Sequence, residues 1–362
     1  MISLVKRPQP SKAWVVATPI LAVIVTMILG GLLFAAMGKD PFVAIRTIFW
    51  DPLFSPDFAA YSRPQLLVKA APLILIAIGL SLGFKAGIWN IGAEGQYIIG
   101  AITGTSVGLA FYPMEAWFIF PLMVIAGALG GFLWGLIPAL CKTKFNAPEI
   151  LVSLMLVYFA EQIMIAVSLG VLRNPEGNGF PGSRNLAQYA SSANPELIAG
   201  TGAHWGVMAA FAAVVAAYVL LSKHMLGFQI RVTGESPRAA GFAGIKANRL
   251  IIFCLGISGA LAGLAGLFEV TGPAGQITTS FNTGYGFTAI IVAFLGRLNP
   301  IGILLAGLLL ALTFIGGELA QFMLSLPSAS IQVFQGMLLM TLLAMDIFVN
   351  YKVVWRKKET AQ

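Results

Sequence analysis

An all-α fold, a polytopic transmembrane helical bundle of about ten helices with both termini cytoplasmic, is predicted by three observations on this chain of 362 residues. Hydrophobic residues make up 58% of it and charged residues only 10%, against roughly one quarter charged in soluble globular domains. Apolar runs of about 20 residues, the length that crosses ~30 Å of hydrocarbon, recur along the chain. Lys and Arg concentrate in alternate segments between those runs, as the positive-inside rule requires.

Composition also excludes function classes. The net charge of +8 would suit a nucleic-acid partner if the cations clustered on a folded polar face, but they are spread between apolar runs. Cys141 and Cys254 lie far apart in or beside apolar stretches, so neither a disulfide framework nor a CxxC site is predicted. His204 and His224 lack metal-ligand spacing, and no metal centre is expected.

The first apolar run, 13–37, follows Lys6, Arg7 and Lys12 as a secretory signal would. It exceeds the ~7–15 residues of a signal core, so it reads as a retained first helix. The next spans are 66–84, 93–112, 115–141, 149–172, 203–222 and 250–271. The last three are 285–296, 301–324 and 331–350. The run 285–296 is short, either a half-helix or a helix that begins earlier within 278–284, so the count is ten, give or take about one.

With the N-terminus inside, the inner segments hold Lys6, Arg7, Lys12, Lys85, Lys142, Lys144, Lys223, Arg231, Arg238, Lys246, Arg249, Arg297, Lys352, Arg356, Lys357 and Lys358. The outer segments hold Lys39, Arg46, Arg63, Arg173 and Arg184. This asymmetry places both ends in the cytoplasm. Lys69 lies near an outer helix end, where its stem can snorkel.

Outside the spans, 38–65 and 173–202 face outward, are rich in Pro, Gly, Asn and aromatics, and read as irregular loops open to an extracytoplasmic partner. The inner segment 223–249 carries Ser236 as a candidate N-cap, Pro237 at the first helical position and Arg238, Ala239 and Ala240 as helix formers, with Gly241 and Gly244 limiting the length. A short cytoplasmic helix is predicted there, the alternative being a basic loop that only sets topology. Asn146 followed by Glu149 resembles a capping box opening the 149–172 span.

Polar groups at membrane depth mark the candidate path. In the junction 83–97, glycines at 83, 87, 92 and 95 loosen the helix while Asn90, Glu94 and Gln96 follow Trp89 into the apolar region. Unpaired polar atoms there cost several kcal/mol, so these groups either line a watery path or satisfy the backbone of a re-entrant turn. A similar break at 296–302 hints at a repeated two-helix unit. Glu161 sits mid-span and joins the candidate pathway residues, whereas Glu269, Glu318 and Asp346 lie nearer helix ends, where water reaches them. A proton-coupled carrier would need more than one such deep group. No G-x-x-x-x-G-K-[ST] or H-E-x-x-H occurs, so the chain is expected to be no enzyme and to bind no cofactor itself.

Three stretches carry a resemblance. Residues 89–96, W-N-I-G-A-E-G-Q, resemble the F-N-I-G-A-E-G-Q signature of permease subunits of ABC importers for simple sugars and nucleosides, related to ribose and branched-chain amino acid permeases. Residues 234–245, G-E-S-P-R-A-A-G-F-A-G-I, resemble that family's cytoplasmic G-E-N-P-x-A-A-R-Y-A-G-I stretch, with Ser236, Gly241 and Phe242 as departures. Residues 146–156 resemble its N-E-V-I-x-T-L-M-L run.

The resemblance implies one permease domain over 1–362, with a family-like core at 66–350 and a coupling loop at 223–249. It implies that Glu235, Ser236, Pro237, Arg238, Ala239, Ala240 and Gly244 dock into a cytoplasmic ATPase, the subunit that uses ATP and Mg. The implied partners are that ATPase, a second and shorter permease chain, and an extracytoplasmic solute-binding protein or lipoprotein, in a bacterial inner membrane. The implied solute is a purine nucleoside first, then a simple sugar or other heterocycle, moved by alternating access.

Overall fold

The computed structural model describes residues 2–7 and 11–355. Strand β1 (Ile2–Lys6) leads into α1 (Lys12–Ala36), α2 (Pro41–Phe49), α3 (Asp51–Phe54), α4 (Ala59–Lys85), α5 (Ala93–Ala110), α6 (Ile119–Phe145) and α7 (Glu149–Leu169). After a 3-10 turn at Leu186–Gln188 come α8 (Trp205–Lys223), α9 (Met225–Glu235), α10 (Pro237–Phe242), α11 (Ala247–Thr271), α12 (Tyr285–Leu295), α13 (Pro300–Leu324), α14 (Ser328–Asn350) and β2 (Tyr351–Trp355). Each predicted span falls on one of these helices. Eight are long and apolar enough to cross a membrane, and α12, at 11 residues, is the half-helix. At 1.5 Å per residue it reaches about half the hydrocarbon thickness.

Two compact units form. The first takes in the chain up to Ala59 and from Leu312 onward. In it α1 lies along α14, and the hydroxyls of Thr26 and Thr341 meet at 2.7 Å so that neither faces hydrocarbon alone. Phe34, Ile48, Ile331 and Phe334 form the core. The antiparallel pairing of β1 with β2, from Ile2 opposite Trp355 to Lys6 opposite Tyr351, brings the two chain ends together. The cations at 356–358 and the side chain of Asp346 lie outside the described residues.

The stretch 38–65 is not irregular as expected, because α2, α3 and the start of α4 occupy most of it. Asp40 explains the first of these. Its Oδ1 accepts the Phe42 and Val43 N–H groups at 2.8 and 3.3 Å, and Pro41 is preorganised at the first helical position.

The second unit, Ala60–Ala311, is built around α11, which packs on α5 and α6. Gly127, Gly131 and Gly135 of α6 recur every fourth residue and meet Gly259 and Gly263 of α11 backbone to backbone. Small residues allow this approach where lipid supplies no hydrophobic drive between helices. Gly263→Val places a branched side chain against the Gly127 carbonyl and the Gly131 Cα, so about 1–3 kcal/mol of overpacking strain is expected. A thermal melt of the purified variant in detergent, read by size-exclusion fluorescence, checks this, with Leu133→Ala on the exposed face of α6 as the variant that should melt like wild type.

Two further local expectations are corrected. Asn146 does not open α7; it closes α6 in the left-handed region at φ 50°, which Asn tolerates, and Pro148 precedes α7. Glu149 pairs with Lys142 at 3.0 Å instead of completing a capping box. The segment 223–249 holds two helices, not one, since the His224 imidazole caps α9 through the Leu226 N–H at 3.1 Å.

Candidate functional site

Helix α4 ends at Lys85, and Gly87 at φ 75° turns the chain into the junction that precedes α5. Within it Asn90 is buried. Its Oδ1 accepts the Gly92 N–H at 3.0 Å, and its Nδ2 donates to Gln96 Oε1 at 2.9 Å and to Ser258 Oγ of α11 at 3.0 Å. Ser153 Oγ of α7 accepts the Ile91 N–H at 3.2 Å. Asn90 and Gln96 thus spend their hydrogen-bonding capacity on each other, the turn and α11. Trp89 is 41% exposed and stacks among Phe84 and Phe294 at ring separations of 5.1 and 5.6 Å.

Glu94, fully buried one turn further on, reaches the broken strand of chain before α12. Its Oε1 accepts the Gly284 N–H at 3.1 Å, its Oε2 accepts that of Gly286, and Phe287 N–H also points to it. Gly284, at φ 80°, offers no side chain to cap α12, so a carboxylate from α5 does so across 190 residues of sequence. Asn282 Oδ1 shares the Gly284 N–H at 3.1 Å, and Asn282 Nδ2 donates to Glu161 Oε1 at 2.6 Å. Glu94 and Glu161, predicted separately, therefore meet at one half-helix start, while Trp89 lies with the Phe84 and Phe294 rings.

Sequence reading missed Asn282. An Asn two residues before a Gly that opens an aromatic helix is the available signal, an Asx turn. Glu269 is a correction. It is 6% exposed, not solvated at a helix end, because the Tyr285 hydroxyl donates to its carboxylate and Lys69 faces it from α4. Lys69 Nζ also lies 6.0 Å from the Tyr285 ring centre, so a buried charge pair and a ring hold α4, α11 and α12 together.

The loop 173–202 covers the segment that leads to α12. Ser183 N–H donates to the Ile277 carbonyl at 2.9 Å and Leu186 N–H to that of Gly275 at 2.7 Å. Arg184 closes the loop on itself through two bonds to Glu176 at 3.0 and 3.1 Å. A cavity of about 1150 Å³ beneath this loop, lined by Trp117, Phe120, Trp205 and Met208, is apolar and contains neither Glu94 nor Glu161. Among the described residues no group of three His, Cys, Asp or Glu is placed to hold a metal ion.

In the segment 223–249, Ser236 Oγ caps α10 through the Ala239 N–H at 3.3 Å, with Pro237 at the first position as predicted. Gly244 at φ 75° ends it, and Ile245 N–H returns to the Ala240 carbonyl at 3.0 Å. Ala240 is fully buried, whereas Glu235, Arg238, Ala239 and Gly244 are exposed, and Phe242 projects with 95% of its surface open. Ile230, Leu250 and Ile245 root this segment in a core shared with Leu82 and Ile88. Gly234 backs onto the Lys85 carbonyl so closely that a Cβ would collide with it.

Comparison with known proteins follows the same lines. A family model described as "Branched-chain amino acid transport system / permease component" matches residues 63–343. The chain is 34% identical over 353 residues to a glucose ABC transporter permease protein of Haloferax volcanii, covering 94% of this chain and 90% of the relative. It is 30% identical over 297 residues to a guanosine ABC transporter permease protein of Bacillus subtilis, covering 81% and 82%. It is 30% identical over 300 residues to a nucleoside ABC transporter permease protein of Lactococcus lactis, covering 81% of each. No solved structure matches.

Proposed function

The chain belongs to the branched-chain amino acid transport system / permease component family and is a multi-pass permease subunit of an ATP-binding cassette importer, and on that premise we propose that it imports a neutral ring-bearing polyol, a purine nucleoside or a simple sugar. The observation that carries the solute class is similarity along most of the chain to permeases named for guanosine, nucleosides and glucose. The nucleoside reading rests on two of those relatives. The sugar reading rests on the longer and higher match to the glucose permease.

In this proposal the chain sits in a cytoplasmic membrane with both ends inside, beside a second, shorter permease, two ATP-binding subunits and an extracytoplasmic solute-binding protein. ATP and Mg act in the ATP-binding subunits. The exposed face of α10, with Arg238, Ala239 and Phe242, is the docking knob, and Glu235, Ser236 and Pro237 fix its base. Closure of the nucleotide-binding pair pushes on α10. The push passes through buried Ala240 and the Gly234 contact to the carbonyl of Lys85, hence into the junction holding Trp89, Asn90 and Gln96, and through Glu94 to the start of α12. That chain of rigid contacts couples ATP to access at Glu161.

Uptake of labelled guanosine and labelled glucose by cells expressing the whole importer, with a strain lacking its ATP-binding subunit as background, tests the solute class. ATP-dependent uptake of one of them is expected, and uptake of neither overturns the reading. The purified chain alone in liposomes is expected to hydrolyse no ATP and to leave the solute gradient in place. Rapid ATP-independent flux through it would instead mark a carrier.

A further inference from the structure

Helix α7 turns Ser153, Val157, Ala160, Met164 and Ser168 into the protein. Its other side exposes Leu151, Met155, Tyr158, Phe159 and Leu169 together with Gln162, and Glu161 lies at the edge, half-buried. Glu161 stands twelve residues into the helix, ~18 Å along it and so well inside the hydrocarbon layer. A carboxylate at that depth cannot be left against lipid tails at acceptable cost. The Glu161 edge of α7 therefore needs a polar partner. Opposite it, Asn282 is bonded to Glu161 at 2.6 Å, and Thr279, Ser280 and Thr283 beside Asn282 in the chain are exposed.

We propose that Glu161 and Asn282, flanked by Gln162 and Thr283, form a solute subsite that grips a vicinal diol of a neutral ring, the ribose of a nucleoside or the ring of a free sugar. This rests on the reading of the chain as a polyol permease. The chemistry favours a diol because two adjacent hydroxyls donate together to one carboxylate, while an amide and a hydroxyl bond the ring from the side. Glu94 has both oxygens committed to the α12 start, so it does not compete for the solute. With a carboxylate and no cation among its residues, the subsite disfavours a phosphorylated solute, so nucleotides and sugar phosphates are rejected.

The test uses the assembled importer in membrane vesicles, in a background with Cys141 and Cys254 replaced. Gln162→Cys and Thr283→Cys are exposed to a water-soluble methanethiosulfonate reagent, with Leu133→Cys on the open apolar face of α6 as the lipid-facing control. Because only a hydrated thiolate reacts, the two site variants should label at least ~10-fold faster than the control. Guanosine or glucose should slow labelling several-fold, and the protecting compound identifies the source of the diol. 2′,3′-Dideoxyguanosine and guanosine monophosphate should give no protection.

Adding Glu161→Ala should remove protection while labelling persists, which shows that the protein is still folded. Labelling as slow as the control, protection by the dideoxy compound equal to that by guanosine, absence of protection by either polyol, or protection that survives Glu161→Ala each overturns the subsite. Failure of the importer reading would appear separately, as absence of ATP-dependent uptake and of a co-purifying ATP-binding subunit.

Discussion

Gly241→Trp is expected to reduce ATP-driven uptake to below about a tenth of wild type, and to stop the ATP-binding subunit from co-purifying, while the permease itself remains folded. Gly241 lies in α10 among exposed residues, and a Cβ built there meets nothing within 4 Å. Its φ is not positive, so an L side chain is tolerated. A Trp therefore adds bulk only outward, on the face that carries Arg238, Ala239 and Phe242. Two residues of the expected docking stretch, Ala240 and Gly244, are poorer choices. Ala240 is 0% exposed, so a large side chain there breaks the α9–α10 core, and Gly244 at φ 75° strains under any other residue. Phe242→Ala, which removes a ring that is 95% exposed in this chain, should weaken docking by about 2 kcal/mol if the ring fills a cleft in the ATPase. Ser236→Ala costs about 1 kcal/mol of helix start and should only slow transport. Wild-type uptake by a well-folded Gly241→Trp importer means that force enters the permease elsewhere.

What the sequence makes legible follows from the range of the forces involved. Membrane spans are set by local hydrophobicity over about 20 residues, so the apolar runs and the helices coincide. The Ser236 and Pro237 start of α10 is equally local, because cap and first turn lie within four residues. Short helices are harder: α2 and α9 are fixed by single caps, Asp40 and His224, inside stretches whose Pro and Gly content reads as loop. Asn146 shows the limit of a motif. The same Asn suits a helix start or a left-handed helix end, and the Lys142–Glu149 pair favours the second. The site lies furthest from view. Glu94 and Glu161 are conspicuous as deep carboxylates, but what they bind is 190 and 121 residues away along the chain, in a segment of unremarkable composition. The burial of Glu269 likewise depends on Lys69 and Tyr285, which no spacing rule connects.

Glu94→Ala is expected to be among the costliest single polar substitutions in the second unit, because Glu94 supplies the cap that α12 lacks. Its removal leaves the N–H groups of Gly286 and Phe287 without that acceptor at membrane depth, and each such group costs about 1–3 kcal/mol. Asn282 still shares the Gly284 N–H, so a net loss of about 3–5 kcal/mol is expected, with a lower melting temperature in nanodiscs and little uptake. Glu94→Gln keeps one carbonyl acceptor but turns an amide toward a second N–H donor, so it should fall between wild type and Ala in both readouts. Glu94→Asp keeps the charge on a shorter stem that cannot span both Gly284 and Gly286, and it should resemble Gln rather than wild type. The Asn90 and Gln96 pair gives the comparison. Asn90→Ala should also lower the melting temperature, since Gln96 and Ser258 lose their partner, and should leave the preference between guanosine and glucose unchanged. A solute-contacting Glu94 predicts the reverse of all this: a Gln variant that melts like wild type and transports a different solute. Equal melting temperatures for wild type and Glu94→Ala would remove the cap as the reason for the carboxylate, and with it the proposed route from α10 through the junction to α12.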